Sequence, residues 1–119
     1  MARDAPQVDA YGDGGFRLSG ARHEGSVLIL QDEARSWPVT SMAELTPDSF
    51  ADVLAAGRRD VEFVLLGTGK TNALPPKAVR EALQRAGIGL EFMDTAAAAR
   101  VYNVLTAEGR RLACALIAV

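Results

Sequence analysis

Residues 61–70 read Val61-Glu62-Phe63-Val64-Leu65-Leu66-Gly67-Thr68-Gly69-Lys70. The stretch from Val61 to Leu66, apolar but for Glu62 and cut short by Gly67-Thr68-Gly69, predicts a strand that ends in a tight turn. Downstream, Pro75-Pro76 precedes a helix with Val79, Leu83 and Ala86 turned inward and Gly87 as its terminator. Ile88 to Met93 forms the next strand. Asp94-Thr95 then opens a helix over Ala96 to Glu108, Gly109 stops it, and Leu112 to Val119 is a last apolar strand. This alternation of strands and helices is the signal of a βαβ arrangement.

Upstream, Thr46 is a good N-cap and Pro47 suits the first helical position. Phe50, Val53 and Leu54 follow at i, i+3, i+4, and Gly57 ends that helix. Residues 14 to 31 have strand texture: Phe16 and Leu18 alternate with Arg17 and Ser19, and Val27-Leu28-Ile29-Leu30 is a short apolar run. His23-Glu24-Gly25-Ser26 between them has turn character and predicts a hairpin. Trp37, which precedes Pro38, is pushed into an extended conformation. A β-rich front half joined to a βαβαβ back half gives an α/β fold at the α+β border, in one domain spanning residues 1–119.

Composition limits the chemistry. The chain has 119 residues, 49% of them apolar and 24% charged, with one histidine, one cysteine and one tryptophan. That is enough to bury roughly two-thirds of the unfolded surface without a disulfide or metal. One histidine and one cysteine exclude a zinc finger, a CxxC redox pair and a multi-histidine metal site. A formal charge of -2 argues against nucleic acid as the main partner, and the basic residues are too scattered among too few aromatics to form a stacking platform. No apolar run of about eighteen residues predicts a membrane span. The acidic start of the chain matches neither a secretory signal nor a transit peptide, and the unpaired cysteine suits a reducing compartment, so the cytoplasm is the expected location.

Gly69-Lys70-Thr71 imitates the tail of a phosphate-binding P-loop, but position 64, where the motif needs glycine, is Val64. Pro75 and Pro76 also keep any helix from starting at the lysine. The dinucleotide fingerprint fails as well: Asn72 stands where the third glycine belongs, and roughly sixty residues are too few for the two-halved fold. If strands 61–66 and 88–93 are parallel neighbours, their C-terminal ends set Gly67-Thr68-Gly69 beside Asp94-Thr95, an edge where α/β ligands bind. Helix capping by Asp94 or Thr95 is the favoured reading there, and the Asp94 charge would repel an anion. On the third helix Ala97, Val101, Val104 and Leu105 form the expected core stripe. Arg100 and Asn103 lie on the neighbouring one. Asn103, a poor helix former, either binds loop backbone, the favoured reading, or orients a ligand. Glu108, Arg110 and Arg111 are expected as a solvated rim. His23 lies in a polar stretch with no nucleophile at a motif spacing, and Cys114 lies in an apolar strand without an activating cation. No catalytic set or metal site emerges.

Several spaced motifs together carry a family resemblance. Gly67-Thr68-Gly69 follows an apolar strand. Met93-Asp94-Thr95, an alanine-rich turn, Tyr102-Asn103-Val104-Leu105, Glu108-Gly109-Arg110 and a final Ala-Leu-Ile strand come after it. Tyr11, Phe16, Gly25-Ser26-Val27-Leu28 and Trp37 stand in front. From about Val8 to Ile117 the chain resembles the MTH-like domain family, which includes mitochondrial complex I assembly factor 3. The resemblance implies a three-layer β/β/α fold with a hammerhead-like β arm at the front. It also implies a non-enzymatic, cofactor-free role in binding a protein partner, as in respiratory complex assembly. Two alternatives stand beside it. One is a small-ligand binder or enzyme using a pocket between Gly67-Thr68-Gly69 and Asp94-Thr95, with Arg100 and Asn103 orienting the ligand. The other is a structural homo-oligomer. Hydrogen bonds that consume those polar groups within the fold would remove the ligand's site.

Overall fold

A computed structural model describes residues 5–119. The expectation of no targeting signal at the start of the chain concerns, at residues 1–4, a stretch outside the described residues. Two sheets are present. The smaller is antiparallel, in the order β1 (Val8–Gly12), β2 (Gly15–Leu18), β3 (Ala21–Glu24). The larger comprises β4 (Val27–Leu30), β5 (Glu33–Ser36), β6 (Phe63–Gly67), β7 (Gly89–Met93) and β8 (Leu112–Leu116), in the spatial order β5-β4-β8-β6-β7. Strands β8, β6 and β7 are mutually parallel, as the alternation of strands and helices predicts, while β4 is antiparallel to both β5 and β8.

The large sheet is the middle layer, and its pleat sorts side chains strictly by alternation. Val64 and Leu66 of β6 and Ala113 and Ala115 of β8 face one cluster with Val53, Val79 and Leu83. These last three come from helices α1 (Ala51–Asp60) and α2 (Lys77–Arg85). Leu65, Cys114 and Leu116 face the opposite side, against Val8, Phe16 and Leu18 of the small sheet and Ala98, Ala99 and Tyr102 of helix α3 (Thr95–Ala107). The architecture is an α+β domain, layered as small sheet, large sheet and helices, with α3 lying beside the small sheet.

The back half follows its sequence signals closely. Gly57 interrupts α1 at φ 76°, and one further turn reaches Asp60. A 3-10 turn, Pro47–Phe50, leads into α1 after Thr46, whose N–H donates to Ser49 Oγ at 3.1 Å. Gly87, at φ 74°, ends α2. Trp37 is buried; its indole N–H donates to Ser49 O at 2.8 Å and its ring lies 5.6 Å from that of Phe50.

The front half departs from the sequence reading: β1 and β5 lie outside residues 14–31, and the turn is displaced. His23 and Glu24 belong to β3, and the hairpin turn is Ser19-Gly20, between Leu18 and its partner Ala21. Both turn residues have positive φ, 46° and 87°, the conformation that two-residue hairpin loops require. Polar residues fill β3 because it is the outer strand of the small sheet and buries none of its side chains.

Leu66, fully buried on the helix-covered face, tests this packing. Leu66→Ala is expected to lower stability by about 2–5 kcal/mol, the range for a core leucine truncated to alanine. Urea unfolding followed by circular dichroism measures it.

Candidate functional site

The order β8-β6-β7 brings three strand ends together, with Gly67 in register with both Met93 and Leu116. Thr68 N–H donates to Met93 O at 2.8 Å, and Ile117 N–H donates to Gly67 O at 3.0 Å. Thr95 joins all three segments. Its N–H donates to Gly69 O at 2.8 Å. Its hydroxyl accepts from Gly69 N–H at 3.0 Å and donates to Ile117 O at 2.8 Å. Thr68 Oγ1 donates to Thr71 O at 2.7 Å. Asp94 caps α3, its Oδ1 accepting from Ala97 N–H at 2.9 Å.

The glycines serve this junction in two ways. A Cβ on Gly67 would lie 2.9 Å from Leu116 Cδ2 and 3.0 Å from both Thr95 Cα and Thr95 Oγ1, so a side chain there has no room. Gly69 holds φ 110°, which L side chains rarely adopt. Gly67, Thr68, Gly69, Asp94 and Thr95 thus stand side by side, as parallel neighbouring strands require. Each of them hydrogen-bonds within the fold: Gly69 and Thr95 to each other, and the rest to Met93, Thr71, Ala97 and Ile117.

Arg100 and Asn103 lie elsewhere. Asn103 is eight residues along the helix from Thr95, about 12 Å at the rise of an α-helix. Its Oδ1 accepts from Val8 N–H and its Nδ2 donates to Val8 O, both at 2.9 Å. The side-chain amide therefore pairs with β1 as a neighbouring strand would. Tyr102 supports the same attachment, its hydroxyl donating to Pro6 O at 2.7 Å. Arg100 is exposed.

The buried face of α3 differs from the expected stripe. It consists of Thr95, Ala98, Ala99, Tyr102 and Thr106, whereas Val104 is 57% exposed. The helix start is pinned directly above side-chain-free Gly67, so small residues occupy the contact. Val101 and Leu105 turn instead toward β7, where with Phe63, Leu65 and Met93 they wall an apolar groove of about 330 Å³. Glu91 and Arg110 complete its lining. The Arg110 guanidinium lies 5.3 Å from the Phe63 ring centroid, and its Nε is 3.6 Å from Glu62 Oε2. Arg111 also pairs with Glu62, at 3.8 Å, so the basic rim is tied to the strand that precedes the glycine loop. Sequence reasoning did not assemble this groove. Its available signals are Gly89, which puts no side chain beside Phe63, and an acidic Glu91 within an apolar strand.

Two further residues complete the chemistry. His23 Nε2 lies 3.1 Å from Ser26 O. Cys114 is fully buried on β8, and burial pushes its thiol far above the ordinary cysteine range, away from the thiolate a nucleophile needs. Among the described residues no helix is long and apolar enough to cross a membrane.

A small antiparallel sheet and a helix laid on one face of a mixed sheet, with two helices on the other, define an Mth938-like α+β domain. The chain belongs to the family described as "Protein of unknown function (DUF498/DUF598)", which matches residues 8–117. It is 40% identical to an uncharacterized protein of Rhodobacter capsulatus over 92% of this chain and 82% of that one. It is 34% identical to human NADH dehydrogenase [ubiquinone] 1 alpha subcomplex assembly factor 3 over 98% of this chain. The match covers 62% of the human protein's length. Among solved structures, an outer membrane protein from Bartonella henselae is 35% identical, with a TM-score of 0.88 over 97% of this chain and 96% of that one. A Mth938-like domain from Bordetella pertussis is 32% identical, with a TM-score of 0.81 over 98% and 88%.

The Thr95 junction makes a direct prediction. Thr95→Val leaves Gly69 N–H and Ile117 C=O buried without partners and is expected to cost about 1–3 kcal/mol for each. Thr95→Ser keeps the hydroxyl and is expected to cost about 1 kcal/mol, the buried methyl alone. Thermal or urea unfolding of the two variants side by side separates them.

Proposed function

We propose that this protein works by binding another protein, as a factor in assembling a membrane-bound respiratory NADH dehydrogenase, and that it does so from the cytoplasm. The observation that carries the reading is how the polar atoms at the strand ends are used. Gly67, Thr68, Gly69, Asp94 and Thr95 hydrogen-bond within the fold, which weighs against a small ligand held between that loop and Asp94. What stays open is a groove beside β7, apolar apart from Glu91 and Arg110, with Val104 exposed on α3. Protein-binding surfaces use such apolar ground rimmed by polar residues. Support for the particular partner comes from the human relative, whose name states a role in assembling NADH dehydrogenase. In this reading Gly67 to Gly69, Asp94 and Thr95 fix α3 and β7 in place. Asn103 fixes β1, and exposed Arg100 is available to a docked partner.

Deleting the gene in the cell of origin and resolving detergent-solubilised membranes on native gels tests the reading. The expected outcome is a loss of fully assembled NADH dehydrogenase with accumulation of subassemblies, restored by the wild-type gene. Unchanged assembly and unchanged membrane NADH oxidation would overturn it.

A further inference from the structure

We infer that β7 is a docking edge for an extended segment of a partner protein, one that places a lysine or arginine opposite Glu91. The edge itself is open. Strand β7 ends the large sheet. Gly89 N–H donates to Glu62 O, and Met93 O accepts from Thr68 N–H, so Gly89, Glu91 and Met93 direct their backbone groups toward β6. Strand alternation then turns the N–H and C=O of Leu90 and Phe92 outward, and these have no backbone partner among the described residues. The opposite edge is different. There β5 carries Glu33 and Arg35, 3.8 Å apart, and Arg35 also reaches Asp52 at 3.3 Å. Charges of this kind are how edge strands avoid unwanted pairing.

An antiparallel strand added to β7 would form hydrogen-bonded pairs with Leu90 and Phe92. It would set one residue directly opposite Glu91 in the closer, non-hydrogen-bonded position. That residue and its neighbours two positions either way face the α3 side. One neighbour lies over Gly89, whose missing side chain leaves room beside Phe63; the other lies beside Met93 at the apolar groove. The fitting segment is therefore apolar–any–basic–any–apolar, written N to C terminus. Glu91 has no ion pair among the described residues, whereas Glu62 nearby is already paired with Arg110 and Arg111. A second copy of this chain fits poorly. The register that pairs Leu90 with Phe92 in both copies is centred on Glu91 and sets two carboxylates directly opposite, a destabilising arrangement.

The inference rests on the protein-binding reading for the nature of the occupant, but its test reads β7 alone, so an absent respiratory partner and an absent strand addition are separate results. The probe is the peptide acetyl-TVTKTVT-amide, titrated into isotope-labelled protein and followed by amide chemical shifts and exchange, with acetyl-TVTETVT-amide as control. The lysine peptide is expected to shift and protect the Leu90 and Phe92 amides. The glutamate peptide is expected to bind about fivefold more weakly, as cross-strand attraction gives way to repulsion. Glu91→Lys, an exposed change, is expected to reverse that preference. Shifts centred away from β7, equal binding of the two peptides, or a wild-type dimer formed through β7 would each overturn the inference.

Discussion

One hydroxyl ties this fold together. Thr95 Oγ1 accepts from the loop after β6 and donates to the residue after β8, while its own backbone N–H returns to the same loop. Each of these polar groups lies where water does not reach, so each must be satisfied by another. The arrangement works only because Gly67 has no side chain, since a methyl group there would strike Thr95 and Leu116. Once the start of α3 is fixed, much else follows. The helix lies close over β6 and β8 on small residues, Asn103 and Tyr102 hold β1, and Val101 and Leu105 overhang β7.

Glycines and apolar runs made the parallel half legible, because each terminator stood between periodic segments and left little freedom in where elements end. The front half was less so. Strand β1 buries only Val8 and draws its order from Asn103, 95 residues away, which no local pattern reveals. Strand β3 reads in part as a turn because an edge strand with no fully buried side chain has no hydrophobic alternation to detect. In α3 the larger apolar side chains were taken for the core. The true inward face holds Thr95, Ala98, Ala99, Tyr102 and Thr106, with small residues at the start of the helix, where it approaches Gly67 closely.

The juxtaposition of the glycine loop with Asp94 and Thr95 could be read from strand order alone. What those atoms do there could not, because the deciding acceptor is Ile117 at the end of a third strand. Helical spacing sets Arg100 and Asn103 on one stripe, and the favoured reading of Asn103 as a binder of backbone holds, its partner being Val8. The groove beside β7 was hidden by the same misplaced helix face. Val101 packs against the edge of the core as its spacing predicts, and together with Leu105 it also gives that surface its apolar wall.

The strand-end loop is a closed structural junction, its polar groups bonded within the fold. Native-state hydrogen exchange of the Gly69 amide tests it most directly, since that N–H is bonded to Thr95 Oγ1. The account predicts that this amide exchanges only through global unfolding, with the same opening free energy as the Leu65 amide of β6. Exchange at the rate of an open loop, with Leu65 still protected, would contradict it.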